Sequence, residues 1–173
     1  MKHFLLICLM TCLGMTGIAG AEAGNSKPAL DKLSALAGDW EGTFAWTGAR
    51  TSSGKMNARY YVTGNGSAVV ENLIMDGAPI MTSVYHLDGA DLRLTHFCAA
   101  QNQPRLKASS LDLAQGLLKF SLVDVTNLRS HDAGYVHGLE VRLLDANHII
   151  LTFVFEGNGK QSNEHIELKR TGP

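Results

Sequence analysis

From Gly38 onward the chain breaks into ten runs of strand length, 38–46, 55–63, 67–75, 79–87, 91–98, 105–110, 116–124, 134–144, 148–156 and 161–169. Each is enriched in β-branched and aromatic residues and bounded by Gly, Asn or Asp turn signals. Short links with no helical interlude predict an antiparallel meander. Closing such a sheet removes the two unpaired edges that an open one would leave. The expected fold is therefore all-β: an antiparallel up-and-down barrel of about ten strands with one short N-terminal helix.

That helix is read from Pro28 to Leu36, where Leu30, Leu33 and Leu36 recur at helical spacing. Pro28 suits a first turn and Gly38 a stop, but a helix this short needs its leucines packed on something. We place it, with the tail at 22–37, against one end of a barrel domain spanning 38–173. Residues 1–21 read as a signal peptide: Lys2 and His3, an apolar run from Phe4 to Leu13, then Ala19-Gly20-Ala21. The run falls far short of the roughly 20 residues a membrane-spanning helix needs. The expected location is exported, periplasmic or secreted.

Without residues 1–21 the chain has 14 basic and 16 acidic residues, a net charge of −2 that speaks against nucleic acid as a partner. Two of the three cysteines, Cys8 and Cys12, lie in the leader, so the mature chain keeps Cys98 alone and forms no internal disulfide. Packing must supply the stability.

Turn chemistry assigns faces. A two-residue turn at Asp88-Gly89 puts Met81, Ser83 and Tyr85 on one face with Leu92, Leu94 and His96, a row that Cys98 continues. The opposite face is more polar, so this row is placed inside. Asn158-Gly159 is the strongest turn signal and sets Leu151, Phe153 and Phe155 inward with Ile166 and Leu168, leaving His165 outward beside Thr152. A three-residue loop at Asp145-Ala146-Asn147 turns Leu139, Val141 and Leu143 inward and avoids burying Glu140 and Arg142. By the same alternation His137 points inward near Phe155. Glu71 and Asn72 receive no face, because the turn at Asp76-Gly77-Ala78-Pro79 permits more than one register.

Gly38-Asp39-Trp40 resembles the Gly-x-Trp signature of lipocalins and related calycins, in which the Trp closes one barrel end. The segments YHLDGADLRLTHFCAAQNQPRLKA (85–108), DVTNL (124–128) and HGL (137–139) resemble a family of uncharacterised exported bacterial lipocalin-like proteins. Thr95 to Cys98 and Asn102 to Arg105 carry most of this likeness. It implies a fold and a compartment, without an activity.

The leading expectation is a carrier holding a small hydrophobic molecule in the barrel. Tyr85, His96 and His137 would be its polar contacts, and Asn102, Gln103 and Arg105 at one mouth would grip a charged end. Against this stands a plainer reading: core histidines, a packing tyrosine and loop amides that satisfy backbone groups. Cys98 reads as a small buried hydrophobe, and the polar link 124–134 as a lid or a solvated loop. No metal site has a recognisable spacing. Two alternatives come from resemblance. Nitrobindin-type barrels imply haem, with His165 on a late strand as the ligand, although its register faces outward. Calycin-type enzymes imply catalysis by cavity Tyr, His and Glu groups, which requires Glu71 to face Tyr85 or His96.

Overall fold

The computed structural model of the chain describes residues 24–130 and 132–172. The expected leader lies outside the described residues. One helix, α1 (Ser26–Ser34), precedes ten strands: β1 (Gly38–Gly48), β2 (Ser52–Thr63), β3 (Ala68–Met75), β4 (Ala78–Asp88), β5 (Asp91–Phe97), β6 (Gln103–Asp112), β7 (Leu117–Thr126), β8 (Tyr135–Asp145), β9 (His148–Gly157) and β10 (Lys160–Arg170). Each strand pairs antiparallel with its chain neighbours, and β1 pairs with β10, so the sheet closes on itself as expected. Alternation decides the faces: in β9, Ile149, Leu151, Phe153 and Phe155 are buried and line the interior.

One end of the barrel is plugged. Ala29, Leu30 and Leu33 of α1, with Leu36 just beyond it, are buried in the same core as Trp40 and Tyr60. The Trp40 indole N–H donates to the Leu36 carbonyl at 2.9 Å. Arg170 lies over the Trp40 ring at 4.4 Å and donates to the Ala35 and Ala37 carbonyls at 3.0 and 2.7 Å. A nine-residue helix is not self-supporting, and this clamp satisfies carbonyls at its C-terminus that have no partner within the helix.

The hairpins explain which faces were legible. Asn158-Gly159 forms the expected two-residue turn, both residues at positive φ, and pairs Leu151 with Ile166. His165 is accordingly exposed, its Nδ1 3.4 Å from the Thr152 hydroxyl. The β4–β5 turn is Gly89-Ala90 and not Asp88-Gly89, so Tyr85 faces Leu94 where Leu92 was expected. A two-residue slip preserves every face, and Met81, Ser83, Tyr85, Leu92, Leu94 and His96 are all buried. At the β8–β9 turn, Asp145 pairs with His148 across Ala146-Asn147, and an extra residue, Leu144, is bulged out and exposed. This tight turn with a bulge gives the same inward set, Leu139, Val141 and Leu143, as the expected longer loop.

His137 is a correction. Val136 pairs with Phe155 and Gly138 with Val154, so His137 is the extra residue of a β-bulge. The bulge reverses the alternation from that point: Val136 is buried, and His137 is exposed beside Tyr135. A further bulge, at Ile80, settles the face that the sequence left open. Leu73 pairs with Met81 but Ile74 with Pro79, and the extra residue brings Glu71 opposite Ser83 on the inner face.

Candidate functional site

Glu71 on β3 is fully enclosed, and the strands on either side supply its partners. Its Oε2 accepts hydrogen bonds from the hydroxyls of Tyr60 at 2.7 Å and Tyr85 at 3.0 Å; its Oε1 lies 3.1 Å from the Ser83 hydroxyl. Ser83 Oγ also sits 3.0 Å from Nδ1 of His96, whose ring packs against Phe153 at 5.0 Å between centroids. A serine has one proton to give. With Glu71 ionised, Ser83 donates to Glu71 and accepts from His96 Nδ1–H, leaving Nε2 as the bare acceptor. With Glu71 protonated, the direction of the chain reverses.

Burial pushes the Glu71 carboxyl up, and its three hydroxyl donors pull it back. Burial also lifts both tyrosines well above their ordinary range, so they remain donors. His96 is driven down to about 4 by burial alone and is neutral at physiological pH. Its Nε2 has no hydrogen-bond partner among the described residues.

Above this network, at the end opposite α1, the barrel opens into a cavity of about 390 Å³. Phe44, Trp46, Met75, Ile80, Met81, Val136 and Phe155 form its apolar wall, with Cys98 beside them. Two charged residues reach it. Arg50, in the β1–β2 link, lies 3.9 Å over the Phe155 ring and 5.1 Å from that of Trp46. Glu164 on β10 is 96% buried, at 4% exposure, and has no cation within ion-pair distance among the described residues. Burial raises it to about 7, opposed by the Trp46 side chain and the Arg50 charge. Burial likewise raises the Cys98 thiol, which is thus a neutral wall group and not a thiolate. Two other hollows, of about 430 and 540 Å³, lie against β1, β2 and β10 and beside α1, and are lined by Glu41, Lys55, Glu167 and Lys169 and by Lys32, Gln115, Asp145 and Arg170 among others.

None of the six expected ligand contacts lines the mouth cavity. Tyr85 and His96 are inward but engaged below it. His137 is on the outside. Asn102 is buried at the rim, where its Nδ2 donates to the Gly134 carbonyl at 2.9 Å and ties two mouth segments together; its Oδ1 has no partner among the described residues. Gln103 Oε1 accepts from Thr126 at 3.1 Å, and Arg105 makes a two-pronged contact with Asp124 on the outer wall. The 124–134 link is joined to the mouth as well, Asn127 donating to the Gln101 carbonyl at 2.6 Å. His165 does not line the cavity, so the histidine that the haem alternative names does not offer an iron ligand there.

Arg50, Trp46, Glu164 and Tyr60 were missed. For Glu164 the signal was present: the Asn158-Gly159 turn that places Ile166 and Leu168 inward also places Glu164 inward, two residues away on the same strand. Arg50 sits in a link, where alternation says nothing.

No protein-family model and no curated protein matches the chain. Among solved structures, it is similar to Rv2717c from M. tuberculosis, with 19% identity, a TM-score of 0.56, and 84% of this chain and 98% of that one covered. It is also similar to a protein of unknown function from the DUF3598 family of Nostoc punctiforme, with 12% identity, a TM-score of 0.54, and 80% of this chain covered. The chain spans about half the length of that second protein, 49%. At these identities the likeness is one of fold.

Proposed function

We propose that this barrel is an exported, lipocalin-like binding protein that holds one small, largely apolar molecule in its mouth cavity. The observation that carries the reading is the cavity itself: a concave, Met- and aromatic-lined space that continues the core and carries two charged side chains, Arg50 and Glu164. Its volume lies toward the small end of the roughly 300–1,000 Å³ usual for ligand sites, which favours a compact molecule over a long lipid. Burial of the apolar body supplies affinity, and the polar groups orient it.

The inward position of Glu71 favours a second reading, catalysis by the Glu71, Tyr85 and His96 group. Its carboxylate oxygens are already taken by Tyr60, Tyr85 and Ser83 in an enclosed layer, and a general acid or base must reach the atom it protonates. We therefore assign the group to holding the interior in register.

Native mass spectrometry of the protein purified from its own host tests the binding reading. A copurified small molecule, released on denaturation, is expected, and its re-addition should change the emission of Trp46 at the mouth. A protein that carries nothing and gives no fluorescence response to octanol, octanoate or octylammonium would overturn it. Haem is tested in the same sample: a shifted Soret band abolished by His165→Ala or His137→Ala would replace the apolar ligand with haem.

A further inference from the structure

We propose that the mouth cavity selects a small monocarboxylic acid, with the carboxylate held by Arg50 at the rim and the apolar body lying against Phe44, Trp46 and Phe155, and that Glu164 takes up a proton as this anion enters. The inference rests on the binding reading above and names the class of its ligand.

Three observations carry it. First, Arg50 has no acidic partner within ion-pair distance among the described residues; its guanidinium rests on two rings. With no acid paired to it, that guanidinium keeps N–H groups free to fork onto a carboxylate. Second, apart from Arg50, Glu164, Ser52 and the Cys98 thiol, the side chains lining the cavity are apolar or aromatic, so the ligand's other end is hydrocarbon or an aromatic ring. Third, Glu164 is buried in the same wall as Arg50, and an incoming anion would meet a second negative charge unless Glu164 were neutral.

The charged and titratable groups around Glu164 are few. Arg50 from the β1–β2 link acts on it and lowers its proton affinity, and Trp46 of β1 does the same through its side chain. Cys98, at the end of β5, shares the cavity as a neutral thiol. Asp132 and Lys160 line the adjoining hollow that shares Arg50 and Phe155. Burial raises Glu164 to about 7 in the unliganded barrel, so it exchanges its proton near neutral pH. A ligand carboxylate beside it would raise that affinity further, while paired Arg50 would lose some of its opposing effect.

The test is titration calorimetry of the full folded protein with three probes of one chain length: octanoate, octanol and octylammonium. Octanoate should bind most tightly at pH 6 and weaken about tenfold by pH 8, because the competent, protonated fraction falls by that factor. Heats in buffers of different ionisation enthalpy should show close to one proton taken up per octanoate near pH 8. Glu164→Gln should bind octanoate equally at both pH values. Arg50→Gln, an exposed change in a link, should cost octanoate at least tenfold more affinity than it costs octanol. If octanol binds but octanoate does not, or octylammonium binds more tightly at pH 8, the carboxylate inference is overturned and the cavity reading stands. If none of the three binds, the cavity reading itself fails. Equal octanoate affinity at pH 6 and 8 in the unmodified protein overturns the proton coupling without any variant.

Discussion

Ser83 Oγ and His96 Nδ1, paired across β4 and β5, lie 3.0 Å apart, and this contact makes the charge of Glu71 and the tautomer of His96 one variable. Any change that removes a proton site from Glu71 must be absorbed by the serine and the imidazole together. Glu71→Gln can turn its oxygen to the two tyrosine hydroxyls and donate from its NH₂ to Ser83, which then donates to His96 Nδ1. The second amide N–H is then left buried without a partner, and the charge-assisted bonds are lost. We expect a loss of about 2–4 kcal/mol by urea denaturation, against about 1–2 kcal/mol for Tyr60→Phe, which deletes only a donor. A neutral Glu71→Gln would show that the network does not hold the core.

His96 makes the fold acid-sensitive. Its folded value of about 4 lies below the ordinary 6.5, so the unfolded chain binds the proton more tightly. The stabilisation is complete above pH 6.5 and lost as pH falls through 4, about 3 kcal/mol for a shift of this size. His96→Met keeps the Ser83 donor to Glu71 and removes the titration. Denaturation curves at pH 4 to 7 should show the acid loss shrink in the variant; an unchanged slope would assign it to other groups.

Glu164 acts in the opposite sense. Raised from 4.5 to about 7, it favours the folded state while protonated; that contribution is complete below pH 4.5 and lost as pH climbs through 7. Glu164→Gln should therefore be the more stable protein at pH 8, by up to about 3 kcal/mol, and the two should converge in acid. The comparison is made by thermal or urea unfolding without ligand.

The floor of the barrel depends on α1. Leu33 is wholly buried, and Leu33→Ala should cost about 2–5 kcal/mol. If the helix were an appendage, its loss would leave the unfolding midpoint unmoved.

At the mouth, a Cβ on Gly134 would fall 2.3 Å from the Phe155 ring and 3.3 Å from the Glu156 carbonyl. Gly134→Ala must displace that ring, which walls the cavity. The expected outcome is weakened octanol binding with the β-sheet circular dichroism spectrum retained. Unchanged binding would mean that Phe155 has room to yield elsewhere.

The ten strands and the plugging helix were legible because alternation and turn residues repeat along the whole chain. Face assignments survived a shifted turn at Gly89-Ala90 because an error of two residues cancels on a surface of period two. They failed at His137 because a single bulged residue reverses parity, and Glu71 was unreadable for the same reason, the extra residue being Ile80. Bulges leave little mark in composition. Arg105 illustrates the other limit: proximity to a mouth in sequence does not say which wall a side chain stands on, and Asp124 holds this one outside.

The clamp of Arg170 on Trp40, with the leucines of α1 beneath it, makes the molecule a cup and not a pipe. Whatever enters between Arg50 and Phe155 has to leave by the same door. For the ligand proposed above, delivery and retrieval would then be a single-gate exchange, with the rate of unloading set at the rim by the aromatic rings and the charge that guards them.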